Sequence, residues 1–212
     1  EECARVLPVI EALLAANPSL TVSIDTYKAS TAKAALKLGA RIVNDVWSLQ
    51  RDPAMAETIA EAGAGLVMMH NREGIDPDLD IVADMERFFA RSLELATAAG
   101  IPLSRIALDP GIGFGKTLEQ NLAAIRALPR LAAMGCATLL GISRKSFLGL
   151  LTGRPVGERF AGTIAADCFG LMAGADIIRV HDVAAHRDAA RVIAALASPP
   201  GAFRSPDFRN PG

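Results

Sequence analysis

Cysteine is scarce: Cys3, Cys136 and Cys168 are the three in 212 residues. They form no C-x-x-C pair, and an odd number without one argues against a disulfide framework or a zinc knuckle. They read as small buried hydrophobes in a reducing, cytoplasmic compartment. Excess charge of either sign is missing as well. Lys and Arg number 22 against 23 Asp and Glu, a formal net charge of −1, so there is no basic field of the kind that binds nucleic acid. Long hydrophobic runs are also absent. Residues 64–69 (AGLVMM) and 137–142 (ATLLGI) fall far short of the ~18 residues a membrane span needs, and the opening residues do not read as a charged-then-apolar leader. Nucleic acid and membrane are therefore not expected as partners, which leaves small molecules. An initiating methionine is missing too: Glu1 already lies in what reads as a helix, so the chain reads as a piece of a longer protein.

What is present is a large apolar fraction, 51% against 21% charged, enough for one domain with a real core. Six short apolar runs read as strands: 21–25 (TVSID), 41–46 (RIVNDV), 65–70 (GLVMMH), 105–109 (RIALD), 138–143 (TLLGIS) and 176–182 (DIIRVHD). Between them lie stretches of 3.6-residue period. Residues 28–38 close at Gly39. Residues 53–62 have Asp52 as N-cap and Pro53 as the first helical residue, and residues 79–99 close at Gly100. A capping box from Thr117 to Gln120 opens 118–127, and 157–172 and 183–197 carry apolar faces of the same period. Strand and helix alternate six times, and the strands are apolar throughout rather than on every second residue. Both features indicate parallel strands covered on both sides, an α/β fold spanning 1–197. Residues 198–212 (SPPGAFRSPDFRNPG) have no period and read as an irregular tail.

The strand ends discriminate between α/β folds. In an open doubly wound sheet most strands end in bland loops, yet here each of the six runs ends in or carries polar groups: Asp25, Asn44 with Asp45, His70, Asp109, Ser143-Arg144-Lys145, and Arg179 with His181 and Asp182. A ring of such ends around one pocket fits a (β/α)8 TIM barrel. Six units are two short of eight, so roughly 50–70 residues are expected before Glu1, judged from ~250 for a whole barrel.

The loop DPGIGFGKT at 109–117 fails both nucleotide patterns. A phosphate-binding P-loop would need glycine at Pro110, and G-x-G-x-x-G would need it at Lys116. What remains is a carboxylate followed by a glycine-rich turn, with room for a planar ligand near Asp109 and Phe114; a turn that needs positive φ and nothing more is the alternative. Ser143, Arg144, Lys145 and Ser146 set two cations and two hydroxyls after an apolar strand. Lys145 can donate to a ring acceptor and Arg144 can attract a carboxylate, or simply be solvated. In IIRVHD, Arg179 and His181 point one way and Ile178 and Val180 the other, which suits a diphosphate or a flat ring. His186 reads as solvated. Asp25 and Asp109 are carboxylates at strand ends that need partners. With Asn44 they suit a heterocycle bearing several N–H donors, although Asp25 could instead cap the following helix.

At this point the residues carry a resemblance. SIDT (23–26), IVND (42–45), VMMH (67–70), LDPGIGFGK (108–116), GISRKSF (141–147) and IIRVHD (177–182) resemble, in order, the motif set of the dihydropteroate synthases, from Glu1 to about Ala197. The resemblance implies a barrel that joins 6-hydroxymethyl-7,8-dihydropterin diphosphate to p-aminobenzoate, with Mg²⁺, usually as a homodimer. It implies a pterin slot of Asp25, Asn44, Met69, Asp109, Gly113, Lys145 and Arg179, with Asp25, Lys145 and Asp109 catalytic. Phe114, Ser143 and Arg144 would border the aminobenzoate pocket, and His181 with Arg179 would meet the diphosphate. The family's N-V-T-P-D-S-F and E-S-T-R-P-G loops are not in this sequence. No metal ligand is therefore expected in the chain, and half of the anion and second-substrate machinery lies outside it. A pterin-binding methyltransferase-like barrel and a non-catalytic pterin-binding fragment are the alternatives, the first disfavoured by the SRKSF loop.

Overall fold

The computed structural model describes residues 1–199. Helix α1 (Glu2–Ala16) precedes β1 (Ser23–Asp25), α2 (Ala29–Lys37), β2 (Ile42–Asp45), α3 (Met55–Ala62), β3 (Gly65–Met69), α4 (Ile81–Ala98) and β4 (Ile106–Asp109). Then come α5 (Leu118–Arg126), the short α6 (Leu128–Ala132), β5 (Ala137–Leu140), α7 (Ser146–Thr152), α8 (Phe160–Met172), β6 (Ile177–Ile178) and α9 (Val183–Ala197). The six strands lie side by side in chain order, and every pair is parallel.

The sheet is curled, not flat. In a flat sheet β2 and β6 would stand four strand spacings apart, about 19 Å, further than one arginine side chain reaches. Arg179, just past β6, nevertheless donates from Nη1 to Asn44 Oδ1 on β2 at 2.9 Å. The strands therefore bend round into the larger part of a barrel wall with their carboxyl ends converging, which is the α/β barrel architecture expected from the alternation.

Register decides which residues face the inside. Asp25 pairs with Asn44, Asn44 with Val67, Val67 with Ala107 and Ala107 with Ala137, so these five share one face. Two residues further along, Met69 pairs with Asp109 on the same face. Inside the wall this face holds a small apolar cluster of Val67, Ala107 and Leu139. The opposite face carries Ile24, Val43, Leu66, Met68, Leu108 and Leu140 into the main core, where they meet Met55, Ile59, Met85 and Phe89 from the helices. Burying one such side chain stabilises by roughly 1.5–3 kcal/mol. The main core thus lies between strands and helices, and the inner face is left for polar ends at the mouth.

Several local expectations differ from the structure. Asp52 serves two helices: its Oδ1 accepts from Ala54 N at 3.0 Å in the turn that leads into α3, which begins at Met55 rather than Pro53, and its Oδ2 accepts from Ala29 N at 2.8 Å at the start of α2. Helix α8 begins at Phe160 after a single 3-10 turn, not at 157. Strand β6 is two residues long, and its ladder ends with the Arg179 amide donating to the Leu140 carbonyl at 2.9 Å. His186 is buried, not solvated, and of the three cysteines Cys136 is buried while Cys3 and Cys168 are partly exposed. The tail expected at 198–212 lies almost wholly outside the described residues. Among the described residues no helix is long and apolar enough to cross a membrane.

Candidate active site

The mouth assembles one connected polar cluster from separate strand ends. Asp25 ends β1, Asn44 lies on β2 and Asp109 ends β4. Asn44 Nδ2 donates to Asp25 Oδ2 at 3.0 Å. Arg179 bridges the two sides of the mouth, donating from Nη1 to Asn44 and from Nη2 to Asp109 Oδ2 at 2.9 Å. Asp109 Oδ1 accepts from Gly111 N at 2.8 Å. A fully buried carboxylate thus meets a cation and an amide, which is what offsets its desolvation. Burial pushes Asp25 above the usual carboxylate range even though Arg179 and Asn44 oppose the shift.

Glycine is required beside this cluster. A Cβ on Gly141 would lie 2.6 Å from Arg179 Nη2, so the bare backbone of the β5 end is what lets the guanidinium cross the mouth. Gly111, at φ +65°, is pressed so closely on the His70 carbonyl oxygen that no side chain could stand there.

Lys145 lies in the turn after β5. Its Nζ donates to the Ile112 carbonyl and sits 4.8 Å from the centre of the Phe114 ring, a cation–π distance. Desolvation brings its pKa down to about 8, against the pull of Asp109. Gly113, at φ +86°, turns the chain beneath Lys145, and Met69 is fully buried on the inner face two positions beyond Val67. Ser143 and His181 form a second pair, with Nδ1 2.8 Å from Oγ and the His181 amide donating to the same hydroxyl at 3.3 Å. Gly141, Ser143, Lys145, Arg179, Val180 and His181 line a cavity of about 170 Å³.

One expected residue is turned elsewhere. Arg144 Nη2 donates to both carboxylate oxygens of Asp182, at 2.8 and 2.9 Å, and the residue adopts φ +59°. Its guanidinium is committed to the α9 N-terminus rather than to the mouth cluster. Asp25, Asn44, Asp109, Lys145 and Arg179 are brought together; Arg144 stands at the rim.

Two arrangements were not legible beforehand. Asp45, one residue from Asn44 and on the opposite face, is buried and accepts from the amides of Trp47 at 2.9 Å and Leu49 at 2.7 Å. It thereby holds a turn in which Ser48 and Leu49 both take positive φ. His70 is fully buried beside Phe88, its Nε2 3.2 Å from Asp84 Oδ2, which also takes Arg72 at 2.7 Å. Desolvation pushes His70 down to about 3, so the ring stays neutral and buttresses the wall. The partner Asp84 comes from α4, and only the folded chain could reveal it.

Chemically, the cluster offers carboxylate and amide acceptors on one side and two cations on the other. It can hold a flat heterocycle rich in N–H donors and stabilise charge that develops beside it. A family profile described as pterin binding enzyme matches residues 1–181. The chain is 44% identical over 183 residues to a dihydropteroate synthase of Bacillus subtilis, covering 86% of this chain and 64% of that relative. It is 42% identical over 193 residues to one from Clostridium beijerinckii, covering 91% and 71%. Among solved structures, a Xanthomonas albilineans dihydropteroate synthase with 4-aminobenzoic acid superposes with a TM-score of 0.89 at 40% identity, covering 93% of this chain and 72% of that one. A Yersinia pestis enzyme of the same name, with a pterine-sulfa conjugate, gives 0.85 at 38% identity, covering 92% and 75%. The chain spans less than two thirds of the length of the Bacillus relative.

Proposed function

Because this chain belongs to the family of pterin-binding enzymes, we propose that it carries the pterin half of a dihydropteroate synthase site, joining 6-hydroxymethyl-7,8-dihydropterin diphosphate to p-aminobenzoate. The observation that carries the reading is the single hydrogen-bonded cluster of Asp25, Asn44, Arg179 and Asp109, with Lys145 beside it. Asn44 and Asp109 take the N–H edge of the pterin, Lys145 donates to its ring acceptor and Arg179 lies against its face. Met69 and Gly113 line the slot. The bond from the pterin methylene to the diphosphate oxygen breaks with its electron pair leaving on diphosphate. The arylamine nitrogen then attacks the methylene and loses a proton.

Asp25 acts at the moment when the methylene carbon is cationic. Its carboxylate is preorganised by Asn44 and needs no reorganisation in the transition state. Arg179 and the Ser143–His181 pair face the departing diphosphate, and Phe114 with Ser143 flanks the arylamine. Arg144, held by Asp182, borders that pocket from outside. Among the described residues no group of three or more His, Cys, Asp or Glu side chains could hold a metal ion. Mg²⁺ commonly takes only one or two protein carboxylates together with the phosphates of a substrate, so it stays part of the proposed reaction, and no step is assigned to it.

We also propose a homodimer in the cytoplasm. A cavity of about 320 Å³ lined by Leu122, Ile125, Leu151 and Phe169 opens between α5, α7 and α8. Leu151 and Phe169 are exposed there, an apolar face suited to a second copy. Three free cysteines fit a reducing compartment.

The test is dihydropteroate formation by the protein expressed from its entire reading frame, with methyl transfer from methyltetrahydrofolate measured in parallel. Condensation without methyl transfer supports the reading. Pterin binding with neither activity would reduce the chain to a binding protein, and methyl transfer alone would replace the proposal.

A further inference from the structure

Lys116 is 5% exposed, yet no carboxylate lies within ion-pair distance of it among the described residues. Its Nζ instead donates to three backbone carbonyls: Gly111 O at 2.9 Å, Phe114 O at 3.1 Å and His70 O at 3.4 Å. An ammonium has three N–H bonds, and here each has one oxygen. Those oxygens belong to two separate segments. His70 stands at the end of β3, while Gly111 and Phe114 lie on either side of the turn that follows β4. The same Gly111 oxygen accepts from the Phe114 amide at 3.1 Å. Such a cradle of dipoles without a counter-charge is costly to build around a cation, and burial brings the Lys116 pKa down to about 7.

We propose that Lys116 is a positioning residue that fixes the Phe114 turn against β3, and so sets the ring that flanks the arylamine, leaving the pterin edge to other groups. Phe114 is partly exposed, with Lys145 over its ring. Asn121 holds the neighbouring Gly113 amide at 2.6 Å and Lys145 the Ile112 carbonyl, but among the described residues the side chain that takes the Phe114 carbonyl, and ties it to β3, is Lys116. Asp109 shares only the Gly111 amide with this turn; β4 pairing and the His70 amide donating to its carbonyl at 3.0 Å hold its backbone in the sheet, and Arg179 holds its other carboxylate oxygen. Loss of the ammonium should therefore loosen one pocket and spare the other. Guanidinium cannot substitute, since its donors lie in one plane whereas three carbonyls around a single nitrogen require a pyramidal set.

This inference rests on the proposed function for the identity of the second substrate, and the experiment separates the two. In the protein from its whole reading frame, Lys116→Met should raise the arylamine KM roughly tenfold or more, the scale of a hydrogen bond to a charged group. Pterin affinity should stay within about twofold and kcat within about threefold. Lys116→Ala should behave alike and be rescued by n-propylammonium but not by tetramethylammonium, which has no N–H. Hydrogen exchange at residues 113–115 reads the clamp without any substrate: it should quicken in Lys116→Met, and in Lys116→Ala it should slow again with propylammonium. Where Lys116→Met fails to fold, Lys116→Gln, which keeps two N–H donors, provides the same comparison. Unchanged exchange, or equal losses of pterin and arylamine binding, overturns the assignment. If the unmodified protein binds neither ligand, the functional reading falls and takes the arylamine role with it, while the exchange data still decide whether the clamp exists.

Discussion

The mouth of the barrel wall and the seam between α8 and α9 both bury ionisable side chains, but in opposite ways. At the mouth, Asp25, Asn44, Asp109 and Arg179 converge from four different strand ends and satisfy one another, and Arg179 also lines a cavity with Lys145, Ser143 and His181. At the seam, Asp167 and His186 come from two neighbouring helices, lie 3.2 Å apart and are almost wholly buried. Neither Asp167 oxygen has a hydrogen-bond partner of good geometry. A buried charge is therefore not in itself a mark of chemistry. What separates the two regions is that the mouth cluster opens onto a cavity and draws its groups from many elements at once.

The comparison breaks most sharply at Asp25. Asp25→Asn keeps the shape and the Asn44 contact while removing the charge, so kcat should fall by about 10²–10³, as when one preorganised group is lost, with a smaller change in pterin binding. Steady-state kinetics with calorimetry on the same preparations separates the two. If binding falls as far as kcat, the carboxylate anchors the ring and does not stabilise a cation.

Lys145 comes next. Lys145→Ala should cost roughly 1.5–3 kcal/mol of pterin affinity, the worth of a charged hydrogen bond to a desolvated acceptor. Because desolvation brings its pKa to about 8, the ionic share of that affinity is present below this pH and fades as pH rises through it. Asp109 and Arg179 face the same ammonium and set the background. A pH titration of pterin binding should show this loss in the unmodified protein and not in the variant. Phe114→Leu should act more weakly, altering sulfonamide inhibition several-fold with pterin affinity held; equal inhibition constants for both proteins would remove the ring from that pocket.

Much of this mouth was legible in the chain before folding, and the reason is periodic. Parallel strands covered on both sides are short apolar runs whose carboxyl ends carry the polar residues, so Asp25, Asn44, Asp109 and Arg179 announce themselves by position. What stayed hidden depends on partners distant in sequence. Asp52 reads locally as the cap of one helix and also serves a second, because the loop before α3 folds over the start of α2. His186 reads as solvated because its burial comes from α8, and Asp167 gives no local sign of it. Lys116 is invisible for the same reason: its partners are carbonyls, which every residue has. The short helices α6 and α7 have too few turns to show a period.

The seam gives the smallest effect and the sharpest contrast. Burial lifts the Asp167 pKa to about 6, with His186 only partly opposing it. His186 Nδ1 lies 2.8 Å from the Asp182 carbonyl; with that nitrogen donating, a hydrogen bond across the seam needs a proton on Nε2 or on the carboxyl. A carboxyl whose folded pKa exceeds its unfolded value, about 3.9, binds more protons folded than unfolded between those two values. Its contribution to stability is then complete below about pH 4 and is lost as pH rises through about 6. Asp167→Asn removes that slope. Unfolding in denaturant at several pH values should show the unmodified protein losing on the order of 1–3 kcal/mol across this window from this one group, and the variant losing less. Above pH 7 the variant should be at least as stable, and its turnover unchanged, since α8 carries this side chain outside the mouth cluster. Identical slopes would mean that another group titrates there. A clear loss of stability above pH 7 would mean that the ion pair with His186 outweighs desolvation, and the seam would then resemble the mouth after all.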